Sequence, residues 1–357
     1  MIYLDYQATT PLAPEARDAM LQWLGGADSA GFGNPHSPHR MGRQAAAAVE
    51  LARDQVAALL PPGGRVIFTS GATEAINLAM RGAPGEGAIA VSAVEHAAVL
   101  DTAHALGRGF ELAVTGEGLC DPDQPLPDGT SLVAMMQVNN EIGTIQPMQD
   151  WLARARETGA LFLCDAVQAF GKLPVTGADL IAVSAHKLHG PKGIGALWVR
   201  DGIEIAPVQT GGGQEQGLRS GTLSPALCAG FGAAAKLAAE RMEADAAHVE
   251  ALWNRARELF AGWTLNGSED ARWHGNLNIR KAGLDVARLM SDCRDIMFSA
   301  GSACASGSGR PSHVLSAIGL DAAAAKSSIR LGFGRYTALC DLEVAAEKIN
   351  LAALQQA

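Results

Sequence analysis

A lysine follows directly after an apolar run that has the composition of a buried strand. In DLIAVSAHKLHGPKGIGALWV the run leads into Ser184, His186 and Lys187, and a glycine-rich turn comes next. Burial disfavours the ammonium form of lysine, which suits an amine that attacks a carbonyl and holds a Schiff base. Lys187 is therefore the candidate nucleophile. An ordinary surface lysine is the alternative, and Lys192, in the same turn, is a competing candidate.

An aspartate ends another apolar run, LFLCD, and Gln168 follows it by about one helical turn. In open α/β sheets ligands bind at the carboxyl ends of strands. An acid at such a position can pair with a pyridinium nitrogen and keep the ring protonated, so that the ring acts as an electron sink. We therefore expect Asp165 to bond the ring nitrogen of a pyridine cofactor and Gln168 to contact its phenolic oxygen. A helix N-cap aspartate is the alternative.

The segment RVIFTSGATEAINLAM has the pattern of a strand, a small-residue turn and the start of a helix. A helix N-terminus holds phosphate through unpaired N–H groups and the helix dipole, so Ala72 and Thr73 are candidate phosphate ligands. Ser184 and His186 could donate from a second loop, and Thr222, in QTGGGQEQGLRSGT, is a further donor. Ordinary helix capping is the alternative.

Polar residues also follow the runs AIAVSAV and LVAMMQV. His96 could stack on an aromatic cofactor and act as an acid or base, because its charge changes near neutral pH. Asn140 could bond the cofactor or a substrate carboxylate. A structural histidine and a turn asparagine are the alternatives.

Two further residues lie in the last sixth of the chain. Cys304 is surrounded by serine, glycine and alanine in FSAGSACASGSGRPSHVL, which predicts a mobile loop with an exposed nucleophilic thiol. Arg330, in SSIRLGFGR, is predicted to lie on a strand, where its guanidinium could clamp a substrate carboxylate; a surface salt bridge is the alternative.

The elements that position these residues form an alternating pattern. From about residue 65, seven apolar runs alternate with helical stretches, which predicts an α/β domain with a mostly parallel sheet covered by helices. The pattern restarts after a helix-rich stretch, which predicts a smaller α+β domain at the C-terminal end. We assign residues 14–250 to the large domain, and residues 1–13 and 251–357 to the small one.

Composition narrows the possible partners. The chain has 357 residues, 48% of them hydrophobic and 18% charged, and a net charge of -9, which argues against binding to nucleic acid. No secretory signal or long apolar stretch is present, so we expect a cytoplasmic protein without a membrane partner. The six cysteines form no CxxC pair, which indicates free thiols and no metal site.

The motifs together resemble one family over nearly the whole chain. YLDYQATTPLAP, GNPHSPH, TSGATEAINLA, EHAAVL, VNNEIGTIQP, DAVQAFGKLPV, SAHKLHGPKGIGAL, GGGQEQGLRSGT, SGSACASG and SSIR closely resemble the cysteine desulfurases. These are fold type I pyridoxal 5'-phosphate (PLP) enzymes of the class V aminotransferase group. The resemblance implies that the chain converts L-cysteine to L-alanine and takes the sulfur as a persulfide.

The resemblance also implies a role for each site residue. It implies a homodimer, in which Thr222 completes the phosphate site of the neighbouring subunit, and a protein that accepts the sulfur, such as an iron–sulfur scaffold or another carrier. The implied roles are Lys187 for the Schiff base and proton transfer, His96 for ring stacking, Asp165 and Gln168 for ring contacts, Asn34, Asn140 and Arg330 for the substrate, and Cys304 as sulfur acceptor.

Several positions depart from the commonest pattern of the family. They are Gln7, Gly332 and the Gly-Arg pair at 309 and 310, none of which has a chemical interpretation from the sequence. The given sequence ends with KINLAALQQA, where many relatives carry a tail that docks scaffold proteins. A selenocysteine lyase or another class V aminotransferase is the first alternative function. A non-catalytic sulfur-relay or assembly component is the second, and the intact catalytic set argues against it.

Overall fold

The computed structural model describes residues 1–175, 177–301 and 312–356. The strands are β1 (Ile2–Tyr3), β2 (Gly64–Thr69), β3 (Ile89–Ser92), β4 (Gly109–Leu112), β5 (Leu132–Met136), β6 (Leu161–Asp165), β7 (Leu180–Ser184), β8 (Gly195–Arg200), β9 (Thr264–Leu265), β10 (Asn276–Arg280), β11 (Ile296–Met297), β12 (Ser299–Ala300) and β13 (Ser328–Gly332). The α-helices are α1 (Pro14–Leu21), α2 (Arg40–Ala57), α3 (Ala72–Gly82), α4 (Ala97–Ala105), α5 (Met148–Thr158), α6 (Pro225–Leu259), α7 (Val286–Asp292), α8 (His313–Ala317), α9 (Ala322–Lys326) and α10 (Leu339–Leu354).

The larger sheet has seven strands in the order β2-β8-β7-β6-β5-β3-β4. Only β8 runs antiparallel to its neighbours, so the predicted mostly parallel sheet is confirmed. The apolar runs form these strands because a strand covered on both faces can bury every side chain, as all five residues of β5 do. Parallel neighbours place their carboxyl ends along one edge of the sheet.

Helices cover both faces of this sheet. Side chains that alternate along the strands enter two separate hydrophobic cores: Val133 of β5 packs into one core, and its neighbour Leu132 packs into the other. The first core includes residues of α1, α2, α5 and the first half of α6, and the second core includes residues of α3 and α4. This double covering is the doubly wound α/β arrangement that the alternating pattern predicted.

A smaller antiparallel sheet forms in the C-terminal part of the chain, with the order β12-β13-β10-β9. Its core is distinct from those of the large sheet and includes Leu277 and Leu331 from the strands and Leu342 and Ile349 from α10. Both fold-class predictions, a large parallel sheet and a smaller α+β unit, are therefore confirmed.

The 35-residue helix α6 connects the two parts. Phe231, near its start, packs into the core of the large sheet, whereas Trp253, near its end, packs into the core of the small sheet. The boundary predicted at residue 250 falls inside this helix. The assignment of residues 14–250 and of 1–13 with 251–357 to two domains stays a prediction.

The N-terminal segment forms a second connection. Leu4 packs in the core of the small sheet, and its carbonyl oxygen accepts a hydrogen bond from the Gly332 N–H of β13 at 2.8 Å. A few residues later, Thr10 and Ala13 donate their N–H groups to the carbonyl oxygens of His186 and His189, both at 2.9 Å. Residues 5–9 therefore cross from the small sheet to the carboxyl end of β7.

Across the described ranges, no helix combines the length and the apolar composition that a membrane crossing requires.

Candidate functional site

A cavity of about 530 Å³ opens at the carboxyl ends of the parallel strands. Its size lies in the range of small-ligand sites. Nine of the residues singled out from the sequence line it together: Ala72, Thr73, His96, Asn140, Asp165, Gln168, Ser184, His186 and Lys187. They come from five separate segments of the chain, and only the fold brings them together.

Lys187 lies in a short 3₁₀ helix, Ala185–Lys187, that follows β7 directly. Its side chain is half-buried, and its Nζ donates hydrogen bonds to the carbonyl oxygens of Gln7 at 2.5 Å and Ala8 at 2.7 Å. Lys192 also lines the cavity but is exposed. Of these two lysines, Lys187 is therefore the one whose amine is positioned inside the site.

Asp165 is the last residue of β6 and is only 5% exposed. Burial raises the pKa of the Asp165 carboxyl, while the Val167 N–H, which donates to Oδ1 at 2.9 Å, and the nearby His96 and Lys187 act to lower it. A buried carboxyl with a raised pKa gains stability from a cationic partner. The group is therefore suited to pair with a protonated ring nitrogen.

His96 caps the N-terminus of α4, where its Nδ1 accepts a hydrogen bond from the Ala98 N–H at 3.0 Å. This bond makes Nδ1 the acceptor and places the ring proton on Nε2. Burial is the largest effect on His96 and lowers its pKa, with Lys187 acting in the same direction and Asp165 against it. The imidazole is therefore held in its neutral form beside the cavity.

Gln168 is 4% exposed and is held at both ends of its amide. Its Nε2 donates to the Gln7 carbonyl oxygen at 3.0 Å, and its Oε1 accepts from the Lys172 Nζ at 3.3 Å. Burial, and then the charge of Lys187, lowers the pKa of Lys172 to about 7. The predicted contact of Gln168 with a phenolic oxygen stays a prediction.

The start of α3 faces the cavity, with Ser70, Gly71, Ala72, Thr73 and Glu74 in its wall. The first N–H groups of a helix have no partner inside the helix, so this end can bind an anion. A Cβ added at Gly71 would meet nothing within 4 Å, which shows that the backbone is accessible there.

Two side chains from the end of β7 approach the same region. Ser184 is the last residue of β7 and is buried, and the His186 Nδ1 lies 3.1 Å from the Thr9 hydroxyl. Burial and the neighbouring lysines lower the pKa of His186 to about 4, so it is neutral above that pH. Both side chains can therefore act as neutral hydrogen-bond donors to a phosphate.

Arg330 lies on β13 with its side chain fully buried. Its guanidinium pairs with the Asp5 carboxylate at 2.7 Å and donates to the Asn140 carbonyl oxygen at 3.0 Å. Arg330 therefore contacts the cavity wall through Asn140 without lining the cavity itself. Its predicted contact with a substrate carboxylate stays a prediction.

Two further predicted site residues, Asn34 and Thr222, do not line this cavity in the single chain. Asn34 and Thr222 are exposed, and the Asn34 Oδ1 accepts a hydrogen bond from the His36 N–H at 2.9 Å. Cys304 lies outside the described residues. The roles expected for these three residues stay predictions.

The five cysteines within the described ranges are free, as predicted. Burial raises the pKa of Cys120 and Cys228 to about 12, and it raises the pKa of Cys164 and Cys293 as well. A thiol whose pKa is raised is a poor nucleophile, because the thiolate is the reactive form. Cys340, on α10, is exposed.

Sequence reasoning missed the part that Gln7 plays. Gln7 lines the cavity, and its main-chain carbonyl oxygen accepts hydrogen bonds from both Lys187 and Gln168. No local pattern predicts this contact, because it joins residues 161 and 180 positions apart. Its departure from the family pattern was the only signal in the sequence.

Comparison with known proteins identifies the family. The model of the family described as aminotransferase class-V matches residues 2–344. The chain belongs to the class-V aminotransferase family. The family expectation from the sequence motifs is therefore confirmed.

Relatives within this family are similar over most of the chain. The chain is 42% identical to a protein of Eremothecium gossypii named mitochondrial cysteine desulfurase, over 98% of this chain and 75% of the relative. It is 41% identical to a protein of Rickettsia bellii named cysteine desulfurase IscS, over 98% and 90% of the two chains. A solved structure titled NifS-like protein matches with a TM-score of 0.88 at 30% identity, over 98% of each chain.

PLP is the cofactor of class-V aminotransferases, and the cavity fits it. Asp165 is a buried carboxyl suited to a ring nitrogen, the start of α3 is suited to a phosphate, and Lys187 is an amine suited to an aldehyde. The distribution of these groups around one cavity matches the three polar ends of the cofactor. The predicted cofactor is therefore confirmed at the level of the family.

Proposed function

We propose that this chain is a cysteine desulfurase that converts L-cysteine to L-alanine and transfers the sulfur to its own Cys304. The observation that carries the proposal is the convergence of the Lys187 amine, the Asp165 carboxyl and the His96 imidazole on one cavity. The names of the relatives from Eremothecium and Rickettsia support the same activity.

Lys187 has two tasks in this proposal. Bound PLP supplies an electron sink for the bonds at Cα of an amino acid. Lys187 would hold the cofactor through Nζ, and its neutral amine, when free, would remove the proton from Cα of the substrate. The position of Nζ beside the cavity, at the end of a rigid strand, keeps this amine within reach of both tasks.

Asp165 and His96 control charge around the reacting centre. The Asp165 carboxylate stabilises positive charge at the ring nitrogen, and its bond to the Val167 N–H keeps the carboxyl in place. His96, neutral and with its proton on Nε2, stacks on the ring and can pass a proton within the cavity.

Arg330 and Asn140 are proposed to bind the carboxylate of the substrate, together with Asn34. Arg330 donates a hydrogen bond of 3.0 Å to the Asn140 main-chain carbonyl oxygen, which holds the two residues next to each other. The pairing of Arg330 with Asp5 keeps the guanidinium in a fixed orientation before substrate arrives.

Cys304 is proposed to receive the sulfur. Its thiolate sulfur bonds to the sulfur of the substrate, and the carbon–sulfur bond of the substrate breaks with its electron pair left on carbon, which is then protonated. L-cysteine and one protein thiol thus give L-alanine and one protein persulfide, without an external oxidant. A thiol reductant or an acceptor protein then removes the persulfide sulfur.

The assembly and the cellular setting are also proposed from the family resemblance. A homodimer would bring Thr222 of one subunit to the phosphate site of the other, which agrees with the exposure of Thr222 in the single chain. The sulfur acceptor would be an iron–sulfur scaffold or another carrier. The location proposed from the sequence is the cytoplasm, whereas the Eremothecium relative is named mitochondrial.

The decisive experiment combines product analysis with trapping. Purified protein is incubated with L-cysteine and a thiol reductant, and both sulfide and alanine are measured. Borohydride reduction followed by peptide mapping should place the cofactor on Lys187, and Lys187→Ala should lose the label and all turnover. Lys192→Ala, a change of the exposed lysine of the same turn, is the matched control and should keep the label.

Cys304→Ala separates the proposal from its main alternative. A desulfurase that uses this thiol should keep the bound cofactor and lose most of its sulfide release. Undiminished sulfide release in Cys304→Ala would favour a lyase that releases sulfur or selenium without a protein thiol. A cofactor label on any residue other than Lys187 would overturn the proposal.

A further inference from the structure

Gln7 contacts both parts of the protein at once. Its main-chain carbonyl oxygen accepts from the Lys187 Nζ at 2.5 Å, and its side-chain Nε2 donates to the Gly275 carbonyl oxygen at 2.7 Å, just before β10. The side chain is 3% exposed, and its Oε1 is buried without a hydrogen-bond partner. The carboxamide is therefore fixed at one end and tightly enclosed at the other.

The space beside this carboxamide exists because residue 332 is glycine. A Cβ at Gly332 would lie 1.7 Å from the Gln7 Oε1 and 2.8 Å from the Tyr6 main-chain nitrogen. The first contact requires the Gln7 side chain to move, and the second presses on the main chain that carries the Gln7 carbonyl group. The Gln7 side chain can therefore occupy its observed position only because residue 332 has no side chain.

This contact joins two elements of the proposed site. Gly332 is two residues from Arg330 on β13, so both positions lie on the same face of that strand. Hydrogen bonds from Gly332 N–H to the Leu4 carbonyl oxygen and from Tyr6 N–H to the Gly332 carbonyl oxygen align the N-terminal segment along the strand. A displacement at Gly332 would therefore reach the Gln7 carbonyl oxygen, and with it Lys187.

We propose that Gln7 is a positioning residue for the Lys187 amine and that this role requires glycine at position 332. The two departures from the family pattern, 325 positions apart in the chain, then have a single physical cause. The proposal rests on the proposed function only in taking Lys187 as the amine that binds the cofactor.

The expected effect follows from the charge of the amine. Carbonyl oxygens that accept hydrogen bonds from an ammonium group stabilise its protonated form. In the cofactor-free chain the Gln7 and Ala8 carbonyl oxygens, which accept hydrogen bonds from Nζ, therefore favour the protonated form of the Lys187 amine over the neutral form. Displacing Gln7 leaves a larger fraction of the amine neutral and reactive at a given pH.

The test measures the reactivity of Lys187 in the full-length, cofactor-free chain. Trace acylation is carried out over a range of pH, and mass spectrometry compares the labelling of Lys187 with that of the exposed Lys236 in the same sample. The variants are Gly332→Ala, Gln7→Ala and their combination. Gly262→Ala is the matched control, because a Cβ there would meet nothing within 4 Å.

The effects of the two single substitutions on the labelling rate of Lys187 should not be additive. Below the midpoint of the labelling profile, Gln7→Ala should raise the rate at Lys187 about threefold, and Gly332→Ala about tenfold, by weakening one hydrogen bond to a charged group. The combination should fall back to between threefold and tenfold, because alanine at 7 removes the Oε1 with which the new Cβ collides but leaves its contact with the Tyr6 main-chain nitrogen. Gly262→Ala should leave the rate unchanged.

Three results would overturn the proposal. They are an unchanged rate in Gln7→Ala, an additive rise of about thirtyfold in the combination, or an equal rise at Lys187 and Lys236. If Gly332→Ala does not fold by circular dichroism, Gln7→Ala still decides, because it adds no atom to the enclosed space and should fold and show the threefold rise. Sulfide release is not part of the test, so its outcome is independent of the proposed activity.

Discussion

Replacing Asp165 by asparagine removes one negative charge from the cavity while keeping the shape of the side chain. The carboxyl is 5% exposed, and its Oδ1 accepts from the Val167 N–H at 2.9 Å. The amide oxygen of asparagine can accept the same hydrogen bond, so the strand end should keep its structure. What asparagine cannot do is stabilise a positive charge at the ring nitrogen.

The size of the effect follows from burial. Removing one partner of a buried ion pair costs about 3–5 kcal/mol, and each 1.36 kcal/mol is a factor of ten in rate. If the Asp165 charge is used in the transition state, Asp165→Asn should lower the rate of alanine formation by roughly a hundredfold to a few thousandfold. Absorbance of the bound cofactor should show that the variant is still loaded.

Asp179→Asn is the matched control. Asp179 is equally buried and also bonds a main-chain N–H, that of Phe162 at 2.8 Å, but it lies before β7, at the opposite edge of the sheet. Its replacement should lower stability and leave alanine formation within about threefold, since a distant buried group affects folding alone. A loaded Asp165→Asn enzyme that keeps more than a third of wild-type turnover would refute the role given to Asp165.

Three further predictions concern buried charges. Burial raises the pKa of Glu95 well above its usual range and so favours the neutral form of this side chain. Glu95→Gln should therefore change the free energy of unfolding by less than about 1 kcal/mol. A loss above about 2 kcal/mol in urea unfolding would mean that Glu95 is charged. Arg53 pairs at 2.8 Å with the Glu215 carboxylate, which is 1% exposed, so Arg53→Met should lower the free energy of unfolding by about 3 kcal/mol. Adding Glu215→Gln should recover at least half of this loss of stability. No recovery would contradict the pairing. Burial lowers the pKa of His189 from 6.5 to about 4, so the unfolded chain takes up a proton first as the pH falls. The free energy of unfolding of the cofactor-free chain should therefore drop by roughly 2 kcal/mol between pH 7 and pH 5 through this residue alone. His189→Asn should remove that part of the pH dependence, and asparagine is chosen because it accommodates the positive φ of 69° at this position. An unchanged pH dependence would contradict the assignment to His189.

The sheet and most of the cavity could be predicted because their signals are local. A strand buried on both faces must be apolar along its whole length, so β5 and β6 are visible as continuous runs. Once the strands are known to be parallel, the residues after them must share an edge, and this places Asp165 and Lys187 in one cavity. Neither step requires knowledge of distant contacts.

Residues in loops are a different case, because their positions depend on surfaces that a local pattern does not describe. Asn34 was assigned to the site by resemblance and Thr222 as a phosphate donor in a glycine-rich stretch, and both are exposed in the single chain. The family expectation of a homodimer provides a reason, since a site completed by a second subunit leaves part of its residues at the surface of the first. Their roles can be tested only in the assembled protein.

Arg330 and Gln7 show why residue type and motif do not determine the details of a site. The sequence indicates a guanidinium on a strand, but the partner that orients it, Asp5, lies 325 positions away. The same separation divides Gln7 from Gly332, whose missing side chain provides the space for the Gln7 carboxamide. Both contacts form where the N-terminal segment crosses from the small sheet to the end of β7, and nothing within either segment specifies the other. These contacts connect the segment that is hydrogen-bonded to Lys187 with the strand that carries Arg330. A substitution at position 5, 7 or 332 should therefore shift the positions of both Lys187, the proposed cofactor amine, and Arg330, the proposed ligand of the substrate carboxylate.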